Sequence, residues 1–391
     1  MATAKRKLKT IATIAASLAL ASSMAISANA AENGSIMFLS SVSSGPTYDA
    51  FVSILEGVGS DLGYDIKIVY GDMFNDPAGN LSAVKNGMTD DVKALISMQD
   101  GGIKNIMDEY PDLYVAGLTT TMDSIYSANA VAPELAEDDH FLGTVAGDYV
   151  EAAGIGEMFA QKVIENGYHK VSTMIFPIYA YPEMAVKDAG FRAAIDAYNE
   201  TAADEDKIEV VGDAHVLEFA PLDDSYFMES EHADLDCVVA ICDPGFVYGA
   251  MINARDTGLI GEATKLMAVG YLDDANFQAD IGDEGMVQMI YTAAPESILY
   301  DLALIDNAIN GLAYPDHSAS EIVDAPLYII DSAQDIQNVV EKSILGTADF
   351  ADCGVSAEEF EQVLLRFNPQ ATYADLMGLM NSEAVTVERF Q

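Results

Sequence analysis

The chain is 391 residues long and carries 63 Asp and Glu against 18 Lys and Arg, a formal net charge of −45. A field of that sign repels nucleic acid and anionic membrane surfaces and disfavours phosphorylated ligands. Half the residues are hydrophobic, which supports a sizeable core and excludes a disordered chain, and the length suits two domains.

The first thirty residues read as an export signal rather than as part of the fold. Lys5, Arg6, Lys7 and Lys9 precede an apolar core at 11–26, and Ala28-Asn29-Ala30 forms a small-x-small cleavage pattern. This is the pattern of a secretory signal peptide over 1–30, cut after Ala30. An uncleaved membrane anchor is the alternative, but Thr13, Ser17, Ser22, Ser23 and Ser27 dilute the run. No cysteine lies near the cut. The expected product is therefore exported to a periplasmic or extracellular space without a lipid anchor.

An apolar run at 36–39 ends in Ser40, Ser41, Ser43, Ser44 and Gly45. Tyr48, Phe51, Ile54, Leu55 and Val58 follow at helical spacing, and Gly63 closes that helix. A second run at 66–70 precedes a helix with Leu81, Val84 and Met88. A third, at 92–96, leads to Gln99 and Asp100. The fourth, at 113–118, ends in Thr119, Thr120 and Thr121, and the fifth lies at 141–145. Val150, Ile155, Met158, Phe159 and Val163 then mark a helix that Gly167 ends.

The sixth run, at 171–176, ends in Pro177-Ile178-Tyr179-Ala180-Tyr181-Pro182, before a helix with Met184, Val186, Phe191 and Ile195. A seventh lies at 208–211. The eighth, at 237–241, ends in Cys242-Asp243-Pro244-Gly245, where Pro244 fits a first helical turn and Asp243 its cap. The run at 266–269 ends in Gly270-Tyr271-Leu272-Asp273-Asp274. That at 286–291 leads through Ala293-Ala294-Pro295 to a helix over 296–310. A short run at 328–330 precedes a helix-rich tail, in which Ser356 and Glu359 hold capping-box spacing and Asn368-Pro369 is a break.

Strands alternating with helices imply parallel sheets with right-handed crossovers, and here two α/β halves follow one another. Ligands bind such sheets outside the carboxyl ends of the strands, so the residues after each run are the candidates.

Cys237 and Cys242 share one extended run, which separates them by roughly 17 Å and forbids a bridge between them. A disulfide from either to Cys353 stays open beside the plainer reading of buried thiols. The five histidines form no HxxxH or HxH pair, and no GxSxG elbow or phosphate-binding Gly-rich loop occurs. The doublets Asp138-Asp139, Asp223-Asp224 and Asp273-Asp274 lack the ligand pattern of a dedicated calcium loop and read as solvated turns. No metal, cofactor or catalytic group is expected.

Taken in order, SSVSSGPTYDAF, GYDIKIVYGD, DVKALISMQ, FLGTVAGDYVEAAGIGEMFA, GFRAAIDAY, VVAICDPGFVYGAMINARDTG and MAVGYLDDA resemble the type I periplasmic solute-binding proteins over residues 35–331. That group includes ribose-type sugar binders and nucleoside-binding lipoproteins. The resemblance implies two Rossmann-like lobes with parallel sheets, joined by a three-strand hinge and closing on a ligand. It puts 31–145 plus 296–324 in the N-terminal lobe. It puts 146–295 plus 325–391, including a helical extension, in the C-terminal lobe. It also implies a monomer that delivers its solute to a membrane permease of an ATP-driven (ABC) importer.

The candidate ligand contacts follow from the fold rule and the resemblance together. Ser43, Ser44 and Tyr48 follow the first strand; the alternative is capping by Ser44 or Thr47, with Tyr48 in the core. Gln99 and Asp100 follow the third strand, and Thr119 and Thr120 the fourth, where sugar-binding relatives carry an acidic residue. Tyr179 and Tyr181 stand between prolines after the sixth. Asp243 can cap a helix and accept charge-assisted bonds from ligand hydroxyls. Tyr271 and Asp273 close the set. Tyrosines, hydroxyls and carboxylates with few cations suit a neutral, polyhydroxylated, ring-shaped solute, a sugar or a nucleoside. A cationic solute also fits. The alternatives are a ligand sensor facing a membrane receptor and a secreted carboxylate-using glycosidase.

Overall fold

The computed structural model of the chain describes residues 33–72, 75–122, 131–147, 152–178, 181–232, 234–346 and 355–381. The expected signal peptide, Tyr179 and Cys353 lie outside the described residues. The chain begins with β1 (Ser35–Ser40), α1 (Pro46–Asp61), β2 (Asp65–Tyr70), α2 (Pro77–Gly87), β3 (Val92–Ser97) and α3 (Ile103–Glu109). It continues with β4 (Tyr114–Leu118), α4 (Pro133–Ala136), β5 (Phe141–Val145), α5 (Ala152–Glu165), β6 (Lys170–Ile175) and α6 (Pro182–Asn199). Next come β7 (Glu209–Val210), β8 (His215–Val216), β9 (Cys237–Ala240), α7 (Tyr248–Asp256), β10 (Lys265–Val269), α8 (Ala275–Ala279) and β11 (Val287–Ala293). It ends with α9 (Ile298–Ile309), β12 (Ile322–Val323), β13 (Leu327–Ile330), α10 (Ala333–Lys342), α11 (Ala357–Glu361) and α12 (Tyr373–Met380).

These strands form two sheets. The first has the order β12-β5-β4-β3-β1-β2 and is parallel throughout. The second has the order β13-β11-β10-β9-β6-β7 with β8 also on β6, and only β13 runs antiparallel. Both faces of the first sheet are covered, which is why its strands are apolar runs rather than alternating ones. Ile36 and Phe38 of β1 enter a core cluster that reaches Met267, Tyr291 and Tyr328 of the second sheet. Met37 and Leu39 point the other way, into a cluster with Leu95, Val115 and Phe141. Pro46, Pro77, Pro182, Pro244 and Pro295 sit in the first turns of the helices and 3₁₀ turns that leave the strand tips. A proline there loses no hydrogen bond and forces the turn away from the strand direction.

Three stretches of chain cross between the sheets, and backbone bonds tie them together. Ala146 N donates to Val323 O (2.8 Å), Ala325 N to Gly147 O (2.6 Å) and Ala294 N to Pro326 O (2.8 Å). Each crossing leaves a strand at its carboxyl end: β5, β11 and β12. The carboxyl edges of both sheets therefore face the same junction.

One expected boundary needs correction. The expected second lobe includes the tail from 325 onward. α10 does lie there, next to the Lys162–Asp331 ion pair (2.8 Å) between α5 and β13's end. Residues 355–381 instead return to the first lobe. Leu365 N donates to Asn307 Oδ1 (3.0 Å), Arg366 pairs with Asp306 (3.0 Å) and bonds Leu62 O (3.1 Å), and Tyr373 meets Tyr300 (OH to OH, 3.2 Å). The physical reason is α9. Tyr300, Asp306 and Asn307 are buried polar groups on its outer side, and the tail supplies their partners.

Candidate functional site

The strand tips are the place to look, taken here lobe by lobe. At the first lobe's edge, Ser40 Oγ donates to Val42 O (2.7 Å) and turns the loop after β1. Ser43 and Ser44 are exposed. The capping alternative is not realised: Gly45, at φ 123°, precedes α1 and no side chain caps that helix. Tyr48 is nevertheless buried, its ring against Phe38 (centroids 6.5 Å apart). Its hydroxyl lies 2.8 Å from that of Tyr70. Burial, then the bond to Tyr70, raises the Tyr48 pKa, so the phenol stays a neutral donor. Tyr70, half exposed at the end of β2, is the ring on offer, and sequence reasoning took it for an ordinary strand residue.

Gln99 and Asp100 are absorbed by a local network. Gln99 Nε2 donates to Asp72 O (2.8 Å), and Asn75 Nδ2 donates to Asp100 Oδ1. Asn80, fully buried, accepts from Asp72 N (2.9 Å) and donates to Gly101 O (2.9 Å) and Asn75 Oδ1 (3.1 Å). These bonds fix the loop between β2 and α2 to the tip of β3. Thr120 is also used internally: its carbonyl accepts from Thr144 Oγ1 and it is buried. Thr119 differs. It is partly exposed at φ 56°, and Met122 three residues later has φ 55°. The left-handed conformation costs a β-branched residue about 1–2 kcal/mol, strain of the kind that gathers at functional positions.

The second lobe's edge carries an aromatic cluster. Phe176 follows β6. Its ring lies 5.7 Å from Tyr181, 5.4 Å from Phe219 and 4.9 Å from Phe246, while Tyr181 and Phe219 are 6.2 Å apart. Tyr181 and Phe219 remain 37% and 43% exposed, so one side of the cluster meets solvent. Burial raises the Tyr181 pKa and keeps its hydroxyl protonated. Phe176, Phe219 and Phe246 were missed by sequence reasoning. Phe246 had a usable signal, two residues beyond the proline after β9. Phe219 had none: it sits at φ 53° in an irregular turn after a two-residue strand.

Asp243 accepts from Gly245 N (2.7 Å), so the capping role is real, and its side chain is still exposed at the rim. Although the residue as a whole is exposed, its carboxyl is partly shielded by its neighbours, and that desolvation raises its pKa, the bond from Gly245 opposing it. β9 and β10 are paired parallel neighbours, so the tips that carry Asp243 and Gly270 lie side by side. On the β10 tip, Gln278 Nε2 donates to Tyr271 OH (2.9 Å) and to Asp273 Oδ1 (3.3 Å). Tyr271 is buried, which with the nearby Asp273 pushes its pKa up to about 12; Asp273 is exposed. Asp274 caps α8. Beside Phe246 opens a cavity of about 380 Å³, lined by Leu222, Asp223, Asp224, Gly245, Phe246 and Asn253 among others.

The predicted residues thus fall along two rims. Ser43, Ser44, Tyr48, Gln99, Asp100, Thr119 and Thr120 follow the adjacent strands β1, β3 and β4. Tyr181, Asp243, Tyr271 and Asp273 follow the adjacent strands β6, β9 and β10. Within them, Tyr181 joins the ring cluster, while Gln99 Nε2, Asp100 Oδ1 and the Thr120 carbonyl each bond neighbouring groups of the fold and Gln99 Oε1 bonds none of the described residues. The thiols of Cys237 and Cys242 are buried and free.

No family model and no curated protein matches the sequence. Solved structures do match the fold. A galactofuranose-binding protein aligns with a TM-score of 0.56 at 16% identity, over 79% of this chain and 97% of that one. A solute-binding protein of an ABC transporter from Agrobacterium vitis, bound with α-D-tagatopyranose, gives 0.55 at 13%, covering 79% and 96%. A glucose-galactose-binding protein from Geobacillus stearothermophilus gives 0.54 at 13%, covering 76% and 97%. The fold is that of the type I periplasmic solute-binding proteins.

Proposed function

We propose that this chain is an exported solute-binding protein of an ATP-driven importer, and that it holds a sugar between its two lobes for delivery to a membrane permease. The observation that carries this reading is the ring cluster of Phe176, Tyr181, Phe219 and Phe246 on the second rim, open to solvent at Tyr181 and Phe219, with the Asp243 carboxylate on the same β9 tip as Phe246. A sugar presents exactly two kinds of surface: C–H faces that pack on rings, and hydroxyls that donate to carboxylates. Tyr70 and Thr119 on the first rim are the facing contacts, and Ser43 and Ser44 supply exposed hydroxyls. The neighbours in fold that bind galactofuranose, tagatopyranose and glucose or galactose favour a sugar over a nucleoside.

In this reading the role is binding rather than catalysis. The lobes are 31–145 with 296–324, and 146–295 with 325–346, while 355–381 braces the first. The protein acts as a monomer released by cleavage after Ala30, and the three crossings form the hinge. A thermal-shift panel of furanoses, pyranoses and nucleosides tests it. A sugar present at 100 times its dissociation constant adds about 2.7 kcal/mol of stability. A shift with nucleosides alone would move the assignment to them, and no shift with any of these solutes would reject it.

A further inference from the structure

We infer that Glu229, Glu231 and His232 form a binding site for one first-row divalent metal ion. The site lies on the second lobe, in the loop that follows the 3₁₀ turn at Asp224–Met228. Ligand atoms of the three side chains all lie within 4.8 Å of one another.

The histidine is what distinguishes this cluster from the many acidic groups on the surface. His232 is 6% exposed, and its ring stacks on Tyr226 with centroids 3.8 Å apart. Its Nδ1 lies 2.8 Å from the carbonyl oxygen of Tyr226. A carbonyl can only accept, so Nδ1 carries a proton, and Nε2 is the nitrogen whose lone pair a metal ion would take. A backbone carbonyl holding one imidazole nitrogen while the other faces a metal is the usual outer-shell arrangement of a histidine ligand. Nε2 makes no hydrogen bond among the described residues; what it faces is Glu231 Oε1, 4.0 Å away. A cation between the Nε2 lone pair and that carboxylate oxygen would bind both.

Glu231 already lies on the Nε2 side, whereas Glu229 Oε2 lies 3.7 Å from Nδ1 and must swing towards Nε2. Zinc holds nitrogen and oxygen at about 2.0–2.2 Å, which sets neighbouring ligand atoms roughly 3–4 Å apart. Glu229 and Glu231 are more than 60% exposed on their side chains, so a change of rotamer closes the gap while the buried imidazole stays fixed. One imidazole with two carboxylates selects a borderline ion such as Zn²⁺ over the oxygen-loving Ca²⁺ and Mg²⁺. Water would complete the coordination. Tyr226 also contacts His215 of β8 (centroids 4.8 Å), so the ion would brace the loop between β8 and β9.

The test is calorimetric titration of the full chain with Zn²⁺, in enough salt to suppress diffuse binding to the acidic surface. The expected result is one Zn²⁺ per chain, with affinity at least tenfold weaker in Glu231→Gln and in His232→Gln and unchanged in Glu200→Gln. Glu231 is exposed, so its variant stays informative if loss of the His232 ring unfolds the loop. Titration with Cu²⁺, followed by electron paramagnetic resonance, should show coupling to a single imidazole nitrogen. A titration without a saturable step overturns the inference. So does a step that Glu231→Gln leaves unchanged, or a copper spectrum with oxygen ligands only.

Discussion

Replacing Arg366 with methionine tests how the tail is bound to the first lobe. Asp306 is fully buried, and Arg366 Nη2 lies 3.0 Å from its Oδ1, which also accepts from Tyr64 OH (2.9 Å). Removing one member of such a pair while leaving the other buried costs about 3–5 kcal/mol. Methionine preserves the aliphatic volume and Tyr64 still donates, so the lower end, about 3 kcal/mol, is the expected loss near pH 8. The sign of the pH dependence follows from Asp306. Burial raises its pKa, and Arg366 and Tyr64 pull it back. Without Arg366 it rises further, so the folded variant keeps its proton to higher pH. The penalty is then absent below the ordinary carboxylate range, near pH 4, and grows as pH rises towards the variant's folded pKa. Urea denaturation of both proteins from pH 4 to 8 measures this. The double variant Arg366→Met with Asp306→Leu should recover most of the loss, since an apolar pair leaves no stranded charge. Equal losses at pH 4 and 8, or a double variant as unstable as the single one, would refute the ion-pair account and leave only packing.

Other expectations concern the rims and the core. Phe219→Ala and Tyr181→Ala each remove a half-exposed ring worth about 1 kcal/mol of stacking, so sugar affinity by calorimetry should fall about fivefold while the melting temperature barely moves. Asp301 is fully buried, and both its oxygens lack a hydrogen-bond partner. Its pKa is raised by burial, so the folded state binds the proton more tightly and stability is lost as pH rises above the ordinary carboxylate range. Asp301→Asn should therefore be the more stable protein at pH 7 and nearly equal to the parent at pH 4, as denaturant midpoints would report. Thr119→Gly relieves a left-handed β-branched residue and should not lower stability; a loss above about 1 kcal/mol would mean that the Thr119 side chain matters more than its strain.

The sequence made the sheets legible because both faces of β1, β3 and β9 are buried, which leaves unbroken apolar runs. It made the strand tips legible because prolines follow them. What it hid has physical causes. β7, β8 and β12 are two residues long, too short for any period to show. Phe219 depends on one left-handed turn after β8, and Tyr70 differs from its strand neighbours only in lying at the open end. Gln99, Asp100 and Thr120 have the chemistry of ligand contacts, yet Asp72 O takes the Gln99 amide, Asn75 takes one Asp100 oxygen, and the buried Thr120 hydroxyl accepts from Met122 N. The docking of 355–381 rests on pairings such as Arg366 with Leu62, across 304 residues, which no local pattern encodes.

Closure of the two rims on a sugar can be measured as a distance. Val42 on the first rim and Ile178 on the second are exposed and suit spin labels after substitution to cysteine, with Cys353→Ser. Cys237 and Cys242 are buried, with thiol pKa values raised by that burial, so they stay unlabelled. Pulsed electron spin resonance should give a separation that shortens and narrows when a stabilising sugar is added. A sugar that binds and leaves the distance unchanged would contradict binding between the lobes.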